Sequence, residues 1–138
     1  MDQVPIAEVV TAIEKVQDEF EANIWYMIGP SFHQDHRVVF EAAMAAARPT
    51  RRTCPAEILR YELPTYSGNP REWAFVPHIY EDIGAHIEGK LEACAMYKSQ
   101  IRPTGMLSLD AIRRFAQARG FESRCAAAEC FEVIRVIR

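Results

Sequence analysis

The first twenty residues show apolar side chains recurring every three or four positions. This spacing places them on one side of an α-helix, and Asp2 and Pro5 suit the start of such a helix. The apolar positions are Ile6, Val9, Val10, Ile13, Val16 and Phe20. We therefore predict an amphipathic helix that packs on another element.

A continuous apolar run, "NIWYMI" at residues 23 to 28, follows this helix and is closed by Gly29 and Pro30. A short run without polar alternation is typical of a strand buried on both faces. Such a strand normally lies inside a parallel sheet with neighbours on both sides. Because no strand precedes it in this chain, we expect the chain to form part of a larger sheet.

The rest of the chain alternates between helical and extended patterns. Asp82 and Ser108 suit the N-cap positions of helices, and Gly120 suits the end of a helix. The segment "TYSGNPREW" is typical of a turn, and "AFVPHIYEDI" is typical of an extended piece. We predict helices over 36 to 47, 83 to 100 and 109 to 119, and strands over 57 to 64 and 128 to 137. This alternation predicts an α/β fold, and 138 residues favour one domain over 1–138.

Charge and composition narrow the class of partner. Sixteen Lys and Arg stand against nineteen Asp and Glu, for a formal charge of −3, so nucleic acid is not expected as a partner. No stretch approaches a run of apolar residues long enough for a membrane span, and the N-terminus lacks the features of a signal peptide. The four cysteines contain no C-x-x-C pair, which predicts buried free thiols in a reducing cytoplasm.

The stretch "PSFHQDHR" at residues 30 to 37 carries the most suggestive chemistry. His33 and His36 are three residues apart, so in a helical turn both rings fall on the same side. Imidazole is a good zinc ligand, and Asp35 can act as a ligand or hold one ring by its second N–H. In the simpler alternative, which spacing by itself favours, Asp35 caps the helix and both histidines have local partners only.

Several segments together resemble the C-terminal portion of the LmbE-like, PIG-L family of zinc-dependent N-deacetylases, which act on N-acetylglucosamine derivatives. "MDQVPIAEVVTAIEKV" resembles the helix before the family's second motif, and "HQDHRVVFEAAMAAARP" resembles that motif. Similar matches later in the chain are "FVPHIYEDIGAHIEGKLEACAMYKSQ", "SLDAIRRFAQARG" and "AECFEVIR". The resemblance implies part of a Rossmann-like layered sheet with flanking helices.

The resemblance also implies roles for five residues. His36 would be a zinc ligand, His33 the oxyanion donor or general acid, and Asp35 the residue that orients His33. His78 and Lys90 fall in the later matching segment and are weaker candidates for contacts with an N-acetylated amino sugar. Both have simpler interpretations, as a loop histidine and as a helix lysine lying along the surface.

The family's first motif, Ala-His-Pro-Asp-Asp, is absent from this sequence. That motif supplies the remaining ligands and the general base, so Zn²⁺ is expected only if the site is completed. Tyr26-Met27 and Ser31 also depart from the family pattern and would alter the support of the site. Asp82 and His86 offer a less favoured way for the chain to complete its own site.

Two functions of different classes follow. In the first, the chain is the C-terminal part of an N-deacetylase, inactive alone and completed by an N-terminal partner chain or by a longer gene product. In the second, it is a non-catalytic sugar-binding or interaction protein derived from that family. For the isolated chain we expect a homo-oligomer that covers the exposed strand edge.

Overall fold

The computed structural model describes residues 4 to 66 and 70 to 138, and it confirms the α/β class. In the described ranges the helices are α1 Ile6–Phe20, α2 Gln34–Ala46, α3 Ile87–Ala95 and α4 Leu109–Ser123. The strands are β1 Ile24–Met27, β2 Glu57–Tyr61, β3 Ile79–Asp82 and β4 Ala128–Val136. Asp2 and residues 67 to 69 of the predicted turn segment lie outside the described residues. No helix within the described ranges is both long and apolar enough to cross a bilayer.

The strands form a mixed sheet in the order β1-β2-β4-β3. β1 runs parallel to β2, with Ile24 opposite Glu57, and β3 runs antiparallel to β4, with Ile79 opposite Phe131. The predicted strand at 23 to 28 is therefore confirmed as β1. Among the described strands, however, β1 stands at the end of the order, so it is an edge strand with the composition of an inner one.

Contacts divide the chain into two compact units, and the first comprises the residues up to Tyr61, a short segment ending at Ala74, and the residues from Glu132 onward. In this unit α1 packs against α2. Small side chains on α2 allow close packing against the first two strands. The buried core comprises Met27, Ala43, Ala47 and Ile58, with Ile13, Trp25, Phe40, Met44 and Ile134 packed on it.

The second unit contains β3, α3, α4 and the first residues of β4, and here two sequence predictions were wrong. Asp82 does not cap a helix, because it ends β3 and its carboxylate accepts the main-chain N–H of Gly84 in the following turn. This local bond favours the turn over a helix. The helix α3 begins later, with His86 at the N-cap position.

Gly120 does not end α4, which continues to Ser123 and closes with Arg124 in the left-handed region at φ 63°. A Cβ at Gly120 would lie 2.7 Å from the backbone of Ala127. The glycine therefore serves close packing of the helix on the chain that follows it. The predicted N-cap is confirmed, since the Oγ of Ser108 accepts the N–H of Ala111.

Candidate functional site

The histidine motif lies where the edge strand β1 turns into α2. β1 ends at Met27, a short loop follows, and His33 is the N-cap residue of α2. Because β1 runs parallel to β2, this loop lies beyond the carboxyl ends of the parallel pair. Ligands in open α/β sheets bind at this edge.

The two imidazoles are brought together as their spacing predicts. The rings of His33 and His36 stack with 4.8 Å between their centroids and 24° between their planes. The main-chain N–H of His36 donates to the carbonyl of His33, which begins the helical turn that aligns the rings. The two imidazole rings therefore lie face to face on the same side of the first turn of α2.

The ring of His33, rather than Asp35, supplies the helix cap. Its Nδ1 accepts the main-chain N–H of Asp35 at 3.2 Å. A main-chain N–H can only donate, so Nδ1 carries a lone pair and the proton of the neutral ring is on Nε2. This tautomer suits a donor to an oxyanion. The contact comes from the backbone of Asp35, and the predicted orienting role of its carboxylate stays a prediction.

The second imidazole is held by a residue whose only sequence signal was a departure from the family pattern. Ser31 is 1% exposed, and its Oγ lies 2.8 Å from Nδ1 of His36. The same oxygen accepts the main-chain N–H of His33 at 3.1 Å. Ser31 thus fixes the loop and the ring of His36 together. A small polar residue at a position where the chain turns from strand to helix could have pointed to this role.

Burial lowers the pKa of His36, and the neighbouring His33 lowers it further, while Asp35 opposes the shift. The shift favours the neutral imidazole at neutral pH. A metal requires that form, because a protonated ring has no lone pair to offer. With Nδ1 placed at Ser31, a metal held by His36 would be held through Nε2.

A second set of side chains, from a distant part of the sequence, lies beside this loop. Trp73 contacts Phe32 edge to face, with 6.2 Å between ring centroids, and the guanidinium carbon of Arg37 lies 5.7 Å from the Trp73 ring centroid. Arg37 also donates to the carbonyls of Ser31 and Phe32 at 2.7 and 2.8 Å. Arg60 donates to the carbonyl of Trp73 at 2.7 Å. The contacts that Trp73 makes with Phe32, Arg37 and Arg60 have no local sequence signal.

The weaker candidates belong to the second unit. His78 is exposed just before β3, and its main-chain N–H donates to a carbonyl of β4. Lys90 on α3 forms an ion pair with Glu129 at 2.6 Å. Within the described residues, no three His, Cys, Asp or Glu side chains gather closely enough to hold a metal.

No family model matches the chain, and no curated protein matches it. The chain is similar in structure to the conserved protein TT1542 from Thermus thermophilus, with a TM-score of 0.73 and 17% sequence identity. The match covers 99% of this chain and 61% of the Thermus protein, so this chain spans about three fifths of that protein's length. At this identity the similarity concerns the fold, and it supports the α/β architecture.

Proposed function

We propose that this chain contributes one half of a metal-dependent N-deacetylase site, which hydrolyses the amide of N-acetylglucosamine-type substrates when the other half is supplied. The observation that carries the proposal is the stacked pair of His33 and His36 beyond the carboxyl end of β1. Each Nδ1 has a defined partner, as expected where the opposite ring nitrogen has a task. The family resemblance of the motif supplies the reaction class.

The two histidines have different tasks in this proposal. His33 carries its proton on Nε2, and from there it donates a hydrogen bond to the oxygen on which charge develops during amide cleavage. His36 is held by Ser31 in its neutral form and acts as a metal ligand. Asp35, in the first turn of α2, has the role of orienting the His33 ring.

The donor set present here fits half of a metal centre. Catalytic zinc takes three protein ligands, and the ligands near His36 among the described residues are fewer than three. A bound zinc ion would polarise the amide carbonyl and activate a water molecule. The remaining ligands and the general base come, in this proposal, from the absent Ala-His-Pro-Asp-Asp motif.

The surface beside β1 supports a strand and helix as the missing partner. Ile24 and Tyr26 on β1 are 45% and 57% exposed, and Val16 and Phe20 on α1 are 55% and 71% exposed. A groove of about 380 Å³ lies between these elements, with a mostly apolar lining that includes Trp25. An unpaired strand edge flanked by exposed apolar side chains tends to associate with another chain in water.

The partner proposal predicts the effect of a charge on the strand edge. We expect Tyr26→Lys to prevent association with a polypeptide that carries the missing motif, and Phe121→Lys to leave association unchanged. Phe121 is 88% exposed in the second unit and serves as the matched control. Light scattering of the isolated chain tests the alternative occupant, a second copy of the chain. A dimer that Tyr26→Lys dissociates would identify that copy as the occupant of the edge in the isolated chain.

Acetate release is the direct test of the function. The chain is mixed with a polypeptide bearing Ala-His-Pro-Asp-Asp, and hydrolysis of an N-acetylglucosamine derivative is measured. We expect His36→Ala to abolish both zinc binding and hydrolysis, whereas His33→Ala keeps zinc and loses hydrolysis. No acetate from the wild-type mixture would refute the split-enzyme proposal and favour the non-catalytic, sugar-binding alternative.

We also propose a cytoplasmic location. Cys54, Cys94, Cys125 and Cys130 are all free thiols in the structure, but of these four only Cys130 is buried, so the predicted burial is wrong for the other three. Free cysteines are typical of proteins kept in a reducing compartment.

A further inference from the structure

We propose that Phe32 and Trp73 form an aromatic subsite that binds a pyranose ring next to the histidine pair, with Arg37 as a hydrogen-bond donor to the ring. This deepens the proposed function, on which it rests for the class of substrate. The subsite is defined by residues 32, 37 and 73. Its existence can be tested without any metal or any hydrolysis.

The first argument is that Phe32 is placed at the site while remaining open to solvent. It stands between Ser31, which bonds to His36, and His33 itself, yet 63% of it is exposed. An isolated exposed phenylalanine has no functional meaning. Here the ring is fixed edge to face against Trp73, with 75° between the two planes. Two aromatic rings therefore meet at an angle on the loop that carries the histidines.

The second argument is that a buried charge holds Trp73 in place. Arg60 is 8% exposed and forms an ion pair with Glu132 at 2.9 Å, and the same guanidinium donates to the Trp73 carbonyl. A Cβ at Gly29 would overlap the Arg60 side chain, so the glycine makes room for this arrangement. Buried groups that fix the backbone of a surface turn are typical support for a binding residue.

The third argument concerns the chemistry of the ligand. The C–H face of a pyranose ring is apolar and stacks on aromatic faces, while its hydroxyl groups need hydrogen-bond partners. Arg37 lies over the Trp73 ring, and because its Nη1 already donates to the carbonyls of Ser31 and Phe32, its other guanidinium N–H groups are the proposed donors to the sugar. An aromatic corner with one cationic donor therefore suits a neutral sugar ring better than it suits an acyl group alone.

The two tryptophans provide an internal control for the test. Trp25 lies in the first unit with its indole N–H bonded to Gln17, and it has no part in the proposed subsite. Methyl N-acetyl-β-glucosaminide is titrated into ¹⁵N-labelled protein while both indole N–H signals are followed, with assignment by Trp73→Phe. We expect the Trp73 signal to shift and saturate while the Trp25 signal stays in place. Methyl β-glucoside should act similarly, and acetamide should have no effect.

Variants of the phenylalanine complete the test. We expect Phe32→Ala to weaken binding by about tenfold, the scale of one good aromatic contact, and Phe32→Tyr to preserve it. Phe121→Ala, which removes an exposed aromatic ring in the second unit, should leave the dissociation constant unchanged. An unshifted Trp73 signal, equal shifts of both indoles, an equal response to acetamide, or wild-type binding by Phe32→Ala would each overturn the proposal.

The failure of the subsite and the failure of the proposed function give different results. If sugar shifts Trp73 but the reconstituted mixture releases no acetate, the hydrolase proposal fails and the subsite stands. If acetate is released at the same KM by Phe32→Ala and by the wild type, the subsite proposal fails and the hydrolase stands.

Discussion

Replacement of Arg60 by alanine tests how the chain builds the surface beside the histidine motif. The side chains of Arg60 and Glu132 are 9% and 17% exposed and meet at 2.9 Å. Removing one partner of such a pair leaves the other charge poorly solvated, at a cost of about 3–5 kcal/mol when the pair is fully buried. Because Glu132 keeps some access to water, we expect the lower end, about 3 kcal/mol.

Two further variants test what determines the loss of stability in Arg60→Ala. Glu132→Gln leaves the more deeply buried Arg60 charge without its partner, while Arg60 still donates to the carbonyl of Trp73, so we expect a similar loss of about 3 kcal/mol with the Trp73 turn still in place. Arg114→Ala serves as the matched surface control. Its side chain is 76% exposed and pairs with Asp110 one helical turn away, which predicts less than about 0.5 kcal/mol.

Urea denaturation measures these differences as shifts of the transition midpoint at constant m-value. The indole N–H signal of Trp73 provides a local readout, and we expect it to move in Arg60→Ala and to stay in place in Arg114→Ala. A loss below about 1 kcal/mol for Arg60→Ala would refute the energetic argument. An unmoved Trp73 signal in that variant would refute the claim that Arg60 positions the turn.

Further predictions concern five single positions. Gly120→Ala should destabilise the fold by about 1–3 kcal/mol, because the new Cβ would lie 2.7 Å from the Ala127 backbone. Gly89 has open space around it, so Gly89→Ala should stabilise the fold by about 0.5–1 kcal/mol. Both changes are measured as shifts of the urea unfolding midpoint. Ser31→Ala should weaken zinc binding in the reconstituted protein by about 10–100-fold, measured by chelator competition, and unchanged affinity would contradict its role at His36. The pKa of His36 in the folded chain lies below its ordinary value of 6.5, so as the pH falls the unfolded chain binds a proton at His36 before the folded chain does. The stability of the fold should therefore decrease as the pH drops below about 6.5. Melting curves should show a smaller decrease for His36→Gln than for the wild type. Burial raises the pKa of Cys130 to about 11, so iodoacetamide should alkylate this thiol last in the native protein, and early labelling would argue against its burial.

Local patterns predicted the elements that depend on near neighbours in sequence. The apolar spacing from Ile6 to Phe20 predicted α1, the run at 23 to 28 predicted β1, and Ser108 was a correct helix cap. The three-residue spacing of the histidines predicted that their rings would share a side, and they stack. Each of these follows from the period of a helix or a strand and from local hydrogen bonds.

The contacts that complete the candidate site could not be predicted in this way. Trp73 reaches Phe32 across some forty residues of sequence, and Arg60 pairs with Glu132 across 72. Asp82 and Gly120 have strong local meanings, as a cap and as a helix end, but the turn after β3 and close packing on the following chain decided their roles instead. Packing overrode the local preference at Gly120, whereas at Asp82 one local hydrogen bond prevailed over another.

Zinc analysis of the reconstituted protein tests the central claim most directly. The wild-type chain and its His36→Ala and His86→Ala variants are each combined with a polypeptide bearing Ala-His-Pro-Asp-Asp, and bound metal is measured after gel filtration. The half-site proposal predicts stoichiometric zinc for the wild type and for His86→Ala, whose histidine caps α3 in the second unit, and none for His36→Ala. Equal zinc in all three samples, or no zinc in the wild type, would contradict it.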